Sequence, residues 1–269
     1  GGTWSLANPI SEDLKVMRPS LLPGLLAAAQ RNQNRGATSI RLFEIGRRYL
    51  ADAEHPTLAM LMTGDKRARG WQAGKAAAFD AFDAKAAALT LLEAAGAPAD
   101  RLQVMEAVTT GSIWHPGQSA TLRLGPKAVL AEFGALHPLL TRGFDVDGPV
   151  MAVQIFLDAI PAKRASGPAR AAFTPPALQS VRRDFAFLAP TNLTAADLVR
   201  AIRGADKTSI TGARLFDRFA GQGVPEGQVS LAVEVELQPL EKSFTDTELK
   251  AIADKVVAAA AKVGAMLRG

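Results

Sequence analysis

Apolar residues recur along the chain with two periods, and an element ends where one period gives way to the other. Leu21, Leu22, Leu25, Leu26 and Ala29 fall at steps of three and four, the spacing of a helix with one apolar face. Pro19 and Pro23 suit its start, where a missing N–H costs little, Ser20 is a candidate cap, and the NQNRG run ending at Gly36 is a stop. Ile40, Leu42 and Ile45 around Phe43 then predict a buried strand ending at Gly46, and Leu58–Thr63 a second core strand. Phe79 to Ala95 reads as an Ala- and Leu-rich helix stopped by Gly96 and Pro98. Leu102–Val108 predicts a strand, Ala120–Leu124 with Val129–Ala135 a hairpin about Gly125-Pro126, and Val150–Leu157 a central strand covered on both faces. Strands joined by short turns, with helices inserted, give an α+β domain rather than a doubly wound one.

From Pro161 to Pro176 the run PAKRASGPARAAFTPP has no apolar period and reads as a linker, residues 161–175, between domains at 1–160 and 176–269. Its Lys163, Arg164 and Arg170 have two readings, solvated charge or contact with RNA phosphate. Beyond it the pattern spells βαββαβ. Strands are predicted at Asp184–Ala189, Ile210–Phe219, Gln228–Leu237 and Ala265–Leu267, with helices at Thr194–Arg203 and Thr245–Lys262, the split βαβ or ferredoxin-like order. Val229, Leu231, Val233, Val235 and Leu237 alternate with Gln228, Ser230, Ala232, Glu234 and Glu236, so this sheet has one covered and one open face. On the strand before, Arg214, Phe216 and Arg218 alternate with Ala213, Leu215, Asp217 and Phe219. If the arginines take the open face, Phe216 lies between two cations, an arrangement for stacking on bases and holding phosphate, and Asp217 leans inward. The other reading pairs Arg214 and Arg218 with Glu234 and Glu236 across the strands.

Composition narrows the classes. The 269 residues suffice for two domains, and 48% hydrophobic with 21% charged residues is globular. No window reaches the roughly 18 apolar residues of a membrane span. The start Gly-Gly-Thr-Trp lacks a basic and apolar leader, so no signal peptide is expected, and the missing Met predicts a piece of a longer chain. With no cysteine, disulfides and thiolate zinc sites are excluded, which permits a cytoplasmic home. The net charge of +5 is spread out: residues 176–269 hold twelve Lys+Arg against eleven Asp+Glu, and no long basic tract exists.

Several words in order carry a resemblance: NPIS, RPSLLPGLL and LFEIG near the start, then FDAFDAK (Phe79–Lys85), WHPGQSA (Trp114–Ala120) and FGALHP (Phe133–Pro138). VRRDFAF (Val181–Phe187), LFDRF (Leu215–Phe219), QVSLAVEV (Gln228–Val235), FTDTEL (Phe244–Leu249) and the ending MLRG continue it. Together they resemble the bacterial phenylalanyl-tRNA synthetase β-subunit family over essentially the whole chain, corresponding to about the last third of such a subunit. The resemblance implies a degenerate class II synthetase-like domain followed by a ferredoxin-like anticodon-binding domain. It further implies a catalytic α subunit and tRNA(Phe) as partners, a heterotetramer with two copies of each chain, and ATP and magnesium used by the whole enzyme rather than by this piece. On that basis Leu21, Leu22, Leu25, Leu26 and Ala29 are candidates for the subunit interface. Arg182, Arg183, Arg214, Phe216 and Arg218 are candidates for RNA contact, chosen by face and chemistry. The alternative class is a protein-interaction scaffold with a ferredoxin-like binding module.

Catalysis is not expected of this chain. Aminoacylation in this class needs arginines preorganised around ATP phosphates. Arg41-Leu-Phe-Glu44 echoes one such site, and VMAVQIFLDAI after Gly148 lacks the glycines and arginine of the other. Gly221-Gln-Gly223 joins two strands and is no phosphate loop. His55, His115 and His137 are far apart, each before a proline, and read as turn residues rather than metal ligands.

Overall fold

Alternation and short turns sort the strands of the chain into two antiparallel sheets. In the computed structural model, which describes residues 4–11, 15–51, 53–106, 113–162 and 175–268, the chain divides into two units, residues 1–168 and 169–269. In the first, helix α1 (Leu22–Gln33) is followed by β1 (Ser39–Tyr49), β2 (Glu54–Arg67), the two-residue β3 (Ala77–Ala78) and helix α2 (Ala81–Ala94). Strands β4 (Gln103–Glu106), β5 (Trp114–Leu124) and β6 (Ala128–Leu136), the short helix α3 (Pro138–Gly143) and β7 (Val150–Phe156) complete it. The sheet order is β1-β2-β7-β6-β5-β4, with β3 beside the end of β2. β4 covers residues 103–106 of the strand predicted at Leu102–Val108; residues 107 and 108, like Lys163, Arg164 and Arg170, lie outside the described residues.

The two faces of this sheet have separate cores. Leu58, Met62, Leu122, Phe133, Met151, Val153 and Ile155 pack with Ala84, Ala88 and Leu92 of α2. Ile40, Ala59, Leu61, Trp114, Leu136, Val150 and Ala152 pack with Leu21, Leu22, Leu25, Leu26 and Ala29. None of those last five is more than 5% exposed. Their assignment to a subunit interface is therefore corrected: the apolar face of α1 is consumed by the sheet of its own chain, because the inner row of β1 and β2 needs a cover. β1 corrects a second expectation. It runs on to Tyr49 and forms the sheet edge, where Ile40 and Leu42 turn towards α1 while Phe43 and Ile45 are 70% and 64% exposed. Their side of the sheet is covered by α2 only over the central strands.

FDAFDAK acquires a local meaning. The Asp80 carboxylate accepts from the N–H groups of Phe82 (2.8 Å) and Asp83 (3.0 Å), and Asp83 accepts from Asp80 N (3.0 Å), a capping box that opens α2. Burial pushes the Asp83 carboxyl up, but Lys66 at 2.5 Å and the bonds to Asp80 outweigh it and hold the group below the usual range.

The second unit runs β8 (Val181–Pro190), α4 (Ala195–Arg203), β9 (Ile210–Phe219), β10 (Gln228–Leu237), α5 (Asp246–Lys262) and β11 (Met266–Leu267). Its sheet order, β11-β8-β10-β9, is the ferredoxin-like one. Val229, Leu231, Val233, Val235 and Leu237 are at most 3% exposed and pack with Leu198 and Ile202 of α4 and Ile252, Val256 and Ala260 of α5. At about 1.5–3 kcal/mol for each buried aliphatic side chain, this row sets the register of β10. Thr194 caps α4, and a Thr245–Glu248 capping box opens α5.

Candidate nucleic-acid interface

Pairing decides which side chains of the second sheet look away from its helices, since residues opposite one another take the same side. Arg182 stands opposite Glu236 and Asp184 opposite Glu234, so both lie on the open face with Ala186 and Leu188. Arg183 stands opposite Val235 and turns to the helix side, where it borders an apolar cleft of about 290 Å³ with Phe185, Leu249, Lys250 and Ile252. On β9, Arg214 stands opposite Glu234 and joins the open face.

The rest of β9 departs from alternation. Leu215 is opposite Val233 but Asp217 is opposite Ala232, so Phe216 is an extra residue, a β-bulge. Beyond it the sides invert. Asp217 and Phe219 join Arg214 on the open face, and Arg218, opposite Leu231, turns to the helix side. The expected trio of Arg214, Phe216 and Arg218 on one face is corrected accordingly. The inward Asp217 that alternation predicted never arises, because the bulge has already moved it outward.

Cross-strand pairing is real but loose. Arg214 Nη2 lies 3.1 Å from Glu234 Oε1, and Arg182, not Arg218, takes Glu236 at 3.7 Å. Both arginines are about two-thirds exposed, and such pairs are worth about 0–1 kcal/mol. Four residues outside the predicted set complete the surface. Arg203, from the end of α4, lines a second cleft of about 290 Å³ with Arg182 and Arg214, beside Gly212, which offers no side chain to fill it. Arg268 donates its N–H to Ala186 O (2.8 Å) and reaches across to Ser230 Oγ (3.4 Å). Phe219, opposite Ser230, is 44% exposed, and Met266, opposite Leu188, is 72% exposed. The ending MLRG placed Arg268 beside the last strand; no periodic signal marks Arg203 or the bulge.

In the first unit the two ends of the Arg41–Glu44 run are drawn apart. Arg41 and Glu44 point to opposite faces of β1. Arg41 stacks over the Phe79 ring at 4.8 Å, and Glu44 pairs with Arg18 at 2.5 Å. Arg48 lies over Phe156 (4.5 Å) and donates to Thr57 Oγ1 (2.8 Å); burial lowers its pKa, with Asp158 and Glu132 opposing. Trp114 Nε1 (3.0 Å) and Gln154 Nε2 (3.4 Å) both donate to Glu132, and Ser20 Oγ donates to Gln154 (3.3 Å). These polar groups fill the middle of the α1 side with bonds among themselves. His137 caps α3 by accepting from Leu139 N, and His55 Nδ1 meets Asp158 at 2.6 Å, a partner its sequence neighbours did not reveal. Among the described residues no three His, Asp or Glu side chains gather as a metal cluster, and no helix is long and apolar enough to cross a membrane.

Comparison with known proteins matches the chain in two regions. The phenylalanyl tRNA synthetase beta chain CLM domain matches residues 2–157, and the ferredoxin-fold anticodon binding domain matches residues 176–268. The phenylalanine–tRNA ligase beta subunit of Novosphingobium aromaticivorans is 66% identical over 98% of this chain and 34% of its own length. That of Zymomonas mobilis is 55% identical over 100% of this chain and 34% of its own. The chain thus spans about a third of the length of these relatives. Among solved structures, a pyrrolysyl-tRNA synthetase of Desulfitobacterium hafniense shares 19% identity at a TM-score of 0.41, covering 53% of this chain and 48% of that one, a likeness too slight to add to the sequence match.

Proposed function

The chain belongs to the phenylalanine–tRNA ligase β-subunit family, and from that premise we propose that it is the part of such a subunit that braces the catalytic partner and reads the anticodon arm of tRNA(Phe). The open face of the second sheet is the observation that carries this reading. Arg182, Arg214 and Arg268 stand on it with Phe219 and Met266, in the unit that matches an anticodon-binding domain. Exchanging a loosely held glutamate for a phosphodiester costs an arginine little, and an exposed ring offers an unpaired base a stacking surface. Arg183 and Arg218 drop out of the set by their side of the sheet, and Phe216 stays at its margin.

On this reading the attachment of phenylalanine, with ATP and magnesium, falls to the α subunit, in a cytoplasmic complex with two copies of each chain. Contact with that subunit moves from α1 to the outer side of β1, where Phe43 and Ile45 are exposed. The scaffold alternative gains no support from these relatives.

Binding of a tRNA(Phe) transcript, measured by gel shift across a salt series, tests the face. Changing Arg182, Arg214 and Arg268 together to Ala should weaken binding at least about tenfold and lower the salt slope by about two to three. Arg183→Ala with Arg218→Ala should leave the slope unchanged. An equal loss from both sets would sink the choice of face, and no binding by the unaltered chain would sink the anticodon reading.

A further inference from the structure

The arm between β2 and α2 carries chemistry that neither the core nor the open face of the second unit uses. β2 pairs with β7 as far as Thr63 and with β1 as far as Gly64, then runs on to Arg67 against β3 and turns back through residues 68–76. Its tip is closed by two reciprocal backbone bonds, Gly70 N to Gly74 O (3.1 Å) and Gly74 N to Gly70 O (2.7 Å). Gly74 takes the positive φ, +74°, that the turn requires. Its root is pinned as well. Lys66 holds Asp83 at 2.5 Å, Arg41 donates to Lys66 O at 3.3 Å, and Arg67 donates to Lys75 O at 3.4 Å.

This fixed turn presents Trp71 at its apex with 92% of the residue exposed. Water is a poor environment for an indole, and one held exposed on a hydrogen-bonded turn points to a ligand that covers it. The surrounding charge identifies the ligand. Between Gly64 and Ala76 stand Lys66, Arg67, Arg69 and Lys75 against the single acid Asp65. Arg69 and Lys75 have no acidic partner among the described residues, and with Trp71 they border an open cleft of about 950 Å³. A protein groove that took the indole would also have to desolvate those cations. RNA satisfies both features at once, with a π face for the ring and phosphates for the charges.

We propose that this arm is an RNA contact separate from the open face of the second unit: Trp71 stacks on an unpaired base while Arg69 and Lys75 hold the flanking phosphates. Only in taking that RNA to be tRNA does it rest on the function proposed above; the chemistry of the arm asks for a single-stranded stretch.

The test titrates the whole chain with a short single-stranded oligoadenylate, and separately with a duplex of the same length, following tryptophan emission. Oligoadenylate should quench Trp71, with the partly exposed Trp4 and the buried Trp114 as the background that remains in Trp71→Ala. Trp71→Ala should lose the quench and bind about tenfold more weakly, with Trp71→Phe keeping most of the affinity. Arg69→Ala with Lys75→Ala should reduce the salt slope by about two. Full affinity in Trp71→Ala, or duplex binding as tight as single-strand binding, would overturn the proposal; circular dichroism checks that each variant is folded. Repeating the titration with tRNA(Phe) separates the two readings. Loss in the arm variants alone removes the open face from the account, and loss in the open-face variants alone removes the arm.

Discussion

Gly134 sits in β6 with φ of +132°, and a Cβ built on it would fall 2.2 Å from Gln118 O, inside the backbone of β5. β6 cannot retreat, because β7 pairs along its other side, Gly134 opposite Ala152. Gly134→Ala should therefore destabilise the first unit by at least about 2 kcal/mol, read as a lower urea midpoint with an unchanged slope. Asp206 in the second unit answers to pH instead. Its carboxylate accepts from Lys255 Nζ (2.8 Å) and, with burial opposing, from the N–H groups of Ser209 and Thr208 (3.1 Å each), so its pKa is held below the ordinary value. A carboxyl lowered by folding stabilises above its unfolded pKa and stops doing so as pH falls through the folded one. Lys255→Met should cost about 0.5–1 kcal/mol at neutral pH and flatten the loss of stability below about pH 4. Urea unfolding at neutral and acid pH measures both effects.

At the scale of elements, α1 and β1 exchange the roles their patterns predicted. Leu25→Asp places a carboxylate in the core beneath α1 and should destabilise the first unit by about 3 kcal/mol or more. Phe43→Asp, on the exposed side of β1, should leave the melting curve alone and weaken capture of the α subunit in a pull-down. The reverse pairing of effects would restore α1 as the interface. Periodicity reported correctly that one side of α1 is buried, but it carries no information on whether the cover is the same chain or another. Phe43 and Ile45 misled for a related reason: apolar content marks a strand, whereas its place at the edge is set by the pairing of residues far apart in sequence. β10 was legible nearly residue by residue, because covering one face of a sheet forces strict alternation. β9 was legible in its ends and not in its facing, since the extra residue of a bulge has no composition of its own. Arg203 escaped for want of any periodic role, its place depending on where α4 stops.

At the scale of the whole chain, the two units have separate cores: α1, α2 and the first sheet in one, α4, α5 and the second sheet in the other. Residues 175–269 produced alone should fold, with the same unfolding midpoint as the second transition of the full chain; a single transition, or a tail without secondary structure by circular dichroism, would count against it. Charge follows the same division, since residues 176–269 carry one net positive charge and the other four lie before them. A tail that folds alone is a cassette. Such a cassette should be exchangeable between relatives by cutting the gene between the two matched regions, and whatever RNA preference it has should be inherited with it.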